Sequence, residues 1–377
     1  SIEIIELETG SAEGEYNVAS AGRIALPEGI VERGRIKNGK RLSDALAALF
    51  AQSRPKPIEN KTVVFGIPES QLYIQIFDLP VHNKEDRDKL VRKEAETSVP
   101  LEADDLLFSY TALAETRSGV EILLVATSKK VLQEWQQFFE GAGITVSHFD
   151  AETLAIARGL FMERPAVPTC VVDIGALSTN IAIFDKKGLR SSYSVPYAGE
   201  SITNEIAKEL GVSLSEAEDQ KVQIGLSRQG ERIFFIIVKT LQPIVGAIKQ
   251  TIDYYKQKAG KEIEGVVLMG GTSKLKGLEG YLKEQITQQV RVGDPLFLKK
   301  KSLLEYIEAI GLALRGFDRP QDKYDPYVGL KKESSLGSLL GRKKIPNAGL
   351  SLSAEAKKDG EEKSDEISFA TPFELEQ

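Results

Sequence analysis

Apolar and polar positions alternate from the start of the chain. "SIEIIELETG", then "YNVASAGRIALP" after a Gly-containing break, predicts two successive strands. Residues 42–52, "LSDALAALFAQ", carry apolar side chains at helical spacing, and "KTVVFGIP" reads as a short buried strand. Strand, strand, helix, strand is the opening of a mixed α/β domain. From Leu79 to Asp150 the pattern predicts a charged helix around "KEDRDKLVRKEAETS", the strands "LLFSYTAL" and "VEILLVAT", a helix "KKVLQEWQQFFEGA" and a strand "ITVSHFD". We read this as a small inserted subdomain, with Trp135, Phe138 and Phe139 of its second helix in a core.

A second α/β half begins after Pro165 and Pro168. Strands are predicted at 169–174, at 180–185 and at "LRSSYSVP", and helices near 200–210, 214–224 and 232–257. The strand "GVVLMGG", another helix and a last helix at "YIEAIGLALRG" complete it. The expected organisation is a first domain of residues 1–81 with 151–168, an inserted subdomain at 82–150, a second domain at 169–317 and a flexible tail at 318–377. The tail is rich in Ser, Gly, Lys and Glu, which leaves little to build a core. Its short apolar pieces, "SLGSLLG" and "FATPFEL", are candidates for docking on a partner.

Composition narrows the function classes. A formal net charge of -6 offers no basic face for nucleic acid. One cysteine, Cys170, excludes an intrachain disulfide, and with only His82 and His148 a Cys/His metal site is not expected. Cys170 stands in an apolar run, as a buried small hydrophobe does. No uninterrupted apolar run approaches the roughly 20 residues of a membrane helix, and the opening residues do not read as a signal peptide. The expectation is a cytoplasmic protein.

Three segments carry candidate chemistry. In "VVDIGALSTNIAIFD", 171–185, a strand rises to Asp173 and Gly175, followed by Ser178, Thr179 and Asn180. A plain hairpin turn explains it; so does a loop whose N–H and O–H donors meet polyphosphate oxygens, with Asp173 holding a divalent cation through water. In "GVVLMGGTSKLKGLEGYL", 265–282, Gly270 and Gly271 at a strand end permit close approach of a ligand, and Thr272 or Ser273 is placed to cap a helix. Neither the P-loop spacing nor GxGxxG is present. In "GVSLSEAEDQKVQIGL", Ser213 or Ser215 caps a helix with Glu218 and Lys221 on one face; these form either a solvated ion pair or contacts to ribose hydroxyls.

Together, in this order, the segments resemble the actin, Hsp70 and sugar-kinase ATPase superfamily. "DIGALSTNIAIF" is similar to its second phosphate motif and "VVLMGGTSKLKGL" to its adenosine motif. "AETSVPLEADDLLFSY", "AGESITNEIAKELG" and "IDYYKQK" narrow the resemblance, over about residues 1–317, to the type IV pilus assembly PilM family, a relative of FtsA. The resemblance implies an actin-like fold with a 1C-type subdomain and ATP with Mg²⁺ clamped between the halves. Asp173, Gly175, Ser178, Thr179 and Asn180 would face phosphates or metal, Glu218 and Lys221 the ribose, and Gly270, Gly271 and Thr272 the adenosine. It further implies a cytoplasmic scaffold, peripheral at the inner membrane, that grips the N-terminal cytoplasmic peptide of PilN and meets other platform proteins, with ATP as a conformational ligand. An FtsA-like division protein and a sugar-kinase-like phosphotransferase are the alternatives. One departure is expected to matter. The family's first phosphate loop, DIGSSSIK-like, should precede the strand "SIEIIELE", but Ser1 matches at best its last Ser and Glu3 stands where Lys is common. A truncated sequence or weakened nucleotide binding would follow.

Overall fold

Strand β1 (Ile2–Thr9) is buried on both faces: Ile2 and Ile4 enter one apolar cluster, Ile5 and Leu7 another. That is the signature of a strand inside a covered sheet. The structure, a computed structural model, describes residues 1–11, 14–81, 83–116, 119–161, 165–293, 303–317, 349–354 and 369–370. The chain divides into two units, Ser1–Arg164 with Pro295–Lys358 and Glu362–Gln377, and Pro165–Asp294 with Asp359–Glu361.

In the first unit β1 turns back into antiparallel β2 (Tyr16–Ile24), and a short hairpin of β3 (Val31–Glu32) and β4 (Arg35–Ile36) leads to α1 (Gly39–Gln52). The Asn38 side chain caps α1 by accepting from the Arg41 N–H. Then come β5 (Thr62–Ile67), β6 (Leu72–Leu79), α2 (Lys84–Ser98), β7 (Leu106–Thr116), β8 (Gly119–Ser128), α3 (Lys129–Gly141), β9 (Thr145–Ala151) and α4 (Glu152–Leu160). Strands β6, β8 and β7 form their own antiparallel sheet, covered by Val91 and Ala95 of α2. The sheet of the expected insertion thus begins at Leu72, ahead of the expected boundary at 82. Helix α3 and β9 instead join the main sheet: Phe65 of β5 packs on Trp135 and Phe139 with ring centroids 4.7 and 5.0 Å apart, and β9 pairs parallel with β5. Periodicity tells a strand from a helix but not which strand it will pair with.

The second unit contains β10 (Thr169–Ile174), β11 (Thr179–Asp185), β12 (Gly188–Val195), α5 (Gly199–Leu210), α6 (Leu214–Ile224), α7 (Glu231–Ala259), β13 (Gly265–Met269), α8 (Leu278–Gln285) and β14 (Gln289–Val292). Its sheet has the order β12-β11-β10-β13-β14, antiparallel through β10 and parallel from β10 to β14. Cys170, Val172, Ile174, Ile181 and Ile183 form one face of the sheet, packed in a core with Ile237, Leu241, Ile244 and Ile248 of α7. Helix α7 is long and apolar enough to cross a membrane by length and composition, contrary to the expectation that nothing reaches that span. Its buried stripe against the sheet accounts for its apolarity.

The chain then returns to the first unit with α9 (Ile307–Gly316), β15 (Gly349–Ala354) and β16 (Phe369–Ala370), completing a six-stranded sheet of order β16-β2-β1-β15-β5-β9. Helix α9, expected in the second domain, packs on α4 and β1 of the first unit. Gly159 and Gly311 make that crossing: a Cβ at 159 would lie 2.1 Å from the Ile307 carbonyl oxygen, and one at 311 would lie 1.8 Å from that of Ala155. The expectation of a flexible tail at 318–377 is corrected for 349–354 and 369–370, which are strands; the rest of that expectation lies outside the described residues. The other side of β1 is paired with β15.

Candidate functional site

All the singled-out residues fall in the second unit. The Gly175 N–H donates to the Ser178 carbonyl at 3.1 Å and closes the turn between β10 and β11. Register sets Asp173 opposite Asn180 and Asn180 opposite Ser194. Directly opposed residues share a face, so these three side chains form a polar row near the end of a sheet whose other face is apolar. The Asn180 side chain is buried, and its Oδ1 has no hydrogen-bond partner among the described residues. Ser178 is half-buried and Leu177 exposed. Thr179 differs from its neighbours. It is fully buried and its hydroxyl donates to the Tyr197 carbonyl at 2.6 Å, so it ties β11 to the segment before α5.

Strand β13 brings the second segment alongside. Gly270 has φ +80°, and a Cβ there would lie 2.3 Å from Asp173 Oδ1 and 2.6 Å from the Ile174 carbonyl oxygen. Only glycine lets the chain pass the carboxylate in that conformation. The Thr272 hydroxyl donates to the Gly175 carbonyl at 2.8 Å and that of Ser273 to Gly270 at 2.6 Å. Neither caps a helix, as had been expected: Gly271–Lys274 form a 3₁₀ turn, and α8 begins after Gly277. Gly271 is exposed and Thr272 half-buried.

Helix α6 begins as expected, with Ser213 and Glu216 in a reciprocal capping box. Lys221 is 8% exposed, and its ammonium donates to the Gly199 carbonyl at 3.2 Å and the Thr203 hydroxyl at 2.9 Å, and pairs with Glu218 at 2.6 Å. That ammonium is committed inside the protein, stapling α6 to α5. Glu218, with 44% of its side chain exposed, is the member of the pair that reaches the surface.

The residue that sequence reasoning missed is Gly199. Its N–H and the Thr272 hydroxyl both donate to the Gly175 carbonyl, and the Glu200 N–H donates to Ala176 at 2.9 Å. A Cβ on Gly199 would lie 2.5 Å from Thr272 Oγ1, 3.4 Å from the Gly175 oxygen and 3.6 Å from Lys221 Nζ. All three candidate segments therefore meet at one glycine, which in sequence reads as an ordinary helix start.

The arrangement suits an anion bound with a cation. A carboxylate, an unpartnered buried amide oxygen and a hydroxyl stand beside an exposed glycine backbone. An unpaired amide oxygen next to a carboxylate calls for a donor, such as the water shell of a divalent ion. Among the described residues no group of three or more His, Cys, Asp or Glu could hold a metal directly, so an ion here would keep most of its water. Cys170 plays no chemical part: it is fully buried, and burial pushes its thiol up to about 12.

A family model described as "Type IV pilus assembly protein PilM" matches residues 1–317. Cell division protein FtsA of Pseudomonas aeruginosa is 25% identical over 237 residues, 56% of this chain and 57% of that protein. FtsA of Bacillus subtilis is 27% identical over 218 residues, 52% and 49% of the two chains. The chain thus spans about half the length of the curated relatives it matches. A solved structure of a "PilM-PilN type IV pilus biogenesis complex" superposes with TM-score 0.73 at 20% identity, over 85% of this chain and 96% of that one. The fold is that of the solved PilM-PilN structure, in keeping with the actin-like fold that the resemblance implied.

Proposed function

The chain belongs to the type IV pilus assembly protein PilM family, and on that premise we propose that it is an ATP-binding scaffold on the cytoplasmic side of the pilus platform. Phosphate oxygens meet Ser178 and the backbone at Gly271 and Thr272, Asp173 and Asn180 hold the water shell of Mg²⁺, and Glu218 takes the ribose. Mg²⁺ supplies charge neutralisation for the polyphosphate. The observation that carries this reading is the shared Gly175 carbonyl, which binds Thr272 and Gly199 at once and so ties the loops together beside the unpartnered Asn180 oxygen. Preorganised donors are what an anion site requires.

ATP acts chiefly as a conformational ligand, since differential affinity for two states is all a switch needs; no base for hydrolysis is assigned. PilN, named in the structurally similar complex, is the partner through its N-terminal cytoplasmic peptide, which places the chain at the inner membrane.

Calorimetric titration of Mg·ATP tests the site. Binding is expected for the chain as it stands, loss is expected in Asp173→Ala, and about tenfold weakening in Asn180→Ala, the size of one lost hydrogen bond to a charged group. Equal affinity in all three proteins would remove the site. Titrating a PilN N-terminal peptide with and without Mg·ATP tests the scaffold: a difference in affinity is expected, and no binding in either state would overturn it.

A further inference from the structure

Two buried polar side chains converge on one half-exposed carboxylate beside Gly199. Thr203 of α5 and Lys221 of α6 are 7% and 8% exposed, whereas Glu218 shows 44% of its side chain to the surface. Glu218 Oε2 accepts from the Lys221 ammonium at 2.6 Å and from the Thr203 hydroxyl at 2.5 Å. The same ammonium donates to the Thr203 oxygen at 2.9 Å and to the Gly199 carbonyl at 3.2 Å, which engages all of its N–H donors.

The single proton of the Thr203 hydroxyl decides what this arrangement does. Thr203 Oγ1 stands 3.1 Å from the Gly199 carbonyl oxygen and 2.5 Å from the carboxylate, so the charged acceptor takes the shorter bond. An ordinary ion pair three residues apart on a helix surface holds little order and needs no second donor. The need of a buried ammonium for a counter-charge accounts for the Lys221 contact. It does not account for the Thr203 contact. Two short, charge-assisted donors from different helices fix one carboxylate oxygen, and the group is thereby preorganised as an acceptor at the surface.

Its surroundings decide what it accepts. Thr272 Oγ1 and Lys221 Nζ flank the same Cβ position at Gly199, at 2.5 and 3.6 Å, so the carboxylate borders the loops that meet there. An ionised carboxylate can only accept, and it repels phosphate; the part of a ligand that suits it is neutral and rich in O–H donors, as a sugar diol is. We propose that Thr203 and Lys221 are positioning residues that hold Glu218 as a fixed acceptor for the ribose hydroxyls, so that α5 as well as α6 sets the preference of the site for a ribonucleotide. The proposal rests on the Mg·ATP reading of the site. Because Lys221 also holds the Gly199 carbonyl, the sugar contact and the loop junction form one piece.

The test is calorimetric titration of the full chain with Mg·ATP and with the Mg²⁺ complex of its dideoxyribose analogue, which lacks both hydroxyls. The readout is the ratio of the two affinities. The parent should prefer ATP by about tenfold, the size of a hydrogen bond to a charged group, and Glu218→Ala should bring the ratio to about one. Thr203→Val, nearly equal in volume, should bring it below about threefold, and Thr203→Ser, which keeps the hydroxyl, should restore it. Lys221→Met, which removes the other donor, should flatten it as Thr203→Val does. Both ligands carry the same phosphates, so a variant that is merely less stable weakens both and leaves the ratio where it was. A parent that binds neither ligand removes the nucleotide site and the proposal with it. A parent that binds both alike, or Thr203→Val and Lys221→Met chains that keep the parent's ratio, would overturn the proposal and leave the phosphate site standing.

Discussion

Placing a methyl group on Gly199 should break the meeting point of the three loops. In Gly199→Ala the new carbon would lie 2.5 Å from Thr272 Oγ1, about 1 Å inside ordinary contact. The Gly175 oxygen at 3.4 Å and Lys221 Nζ at 3.6 Å tolerate the methyl. The hydroxyl is what must move, and with it goes its 2.8 Å bond to the Gly175 carbonyl. One such bond contributes about 1 kcal/mol, and an off-rotamer Thr272 adds up to about 1 more, so the substitution should cost about 1–2 kcal/mol. Thr272→Ala should cost about 1 kcal/mol for the same bond. In the double variant the clash is gone, so Gly199→Ala should cost little beyond Thr272→Ala alone. The cycle should show a coupling of about 1–2 kcal/mol. Urea unfolding supplies the measurement, because each unit has its own probe: the single cysteine, Cys170, buried in the second, and the single tryptophan, Trp135, buried in the first. Additive effects within about 0.3 kcal/mol, or a Trp135 transition that moves as far as Cys170 exposure, would refute the reasoning.

Three further outcomes are expected. Lys221→Met keeps the stem but deletes the ammonium that serves Gly199 and Thr203; Cys170 exposure in urea should report a loss of about 2 kcal/mol, little of it from the pair with half-exposed Glu218. Burial alone would raise the Asp150 carboxyl, but Arg158 and Arg315 hold it below its ordinary value. Its stabilisation is therefore complete above the unfolded value of about 3.9 and lost as pH falls through the lower folded one, so Asp150→Asn should destabilise the Trp135 transition at pH 7 and differ progressively less from the parent below about pH 4. The Cys170 thiol, raised to about 12, should resist Ellman's reagent at pH 8 until urea unfolds the second unit, whereas reaction in the native protein would contradict its burial.

Much of the fold was legible in the residues because it is local. Alternation in "IEIIEL" and helical spacing in "LSDALAALFAQ" dictate β1 and α1 wherever those segments are later packed. The order of the Asp173, Glu218 and Gly270 segments likewise pointed to one superfamily and to one unit of the chain. What each polar residue does there was not legible. Thr179 and Lys221 are of the right type and in the right place, yet their polar atoms face the Tyr197, Gly199 and Thr203 partners inside the protein.

The sequence by itself determined the element types, the acidic, disulfide-free chemistry and the motif order, all of which depend on neighbours along the chain. Tertiary structure alone decided that α9 crosses α4 through Gly159 and Gly311, that Gly199 is the hub of the site, and that residues 349–354 close the first sheet. Each is a meeting of segments distant in sequence, set by steric fit and by backbone groups that must find a partner, and neither requirement leaves a periodic trace in the residues themselves.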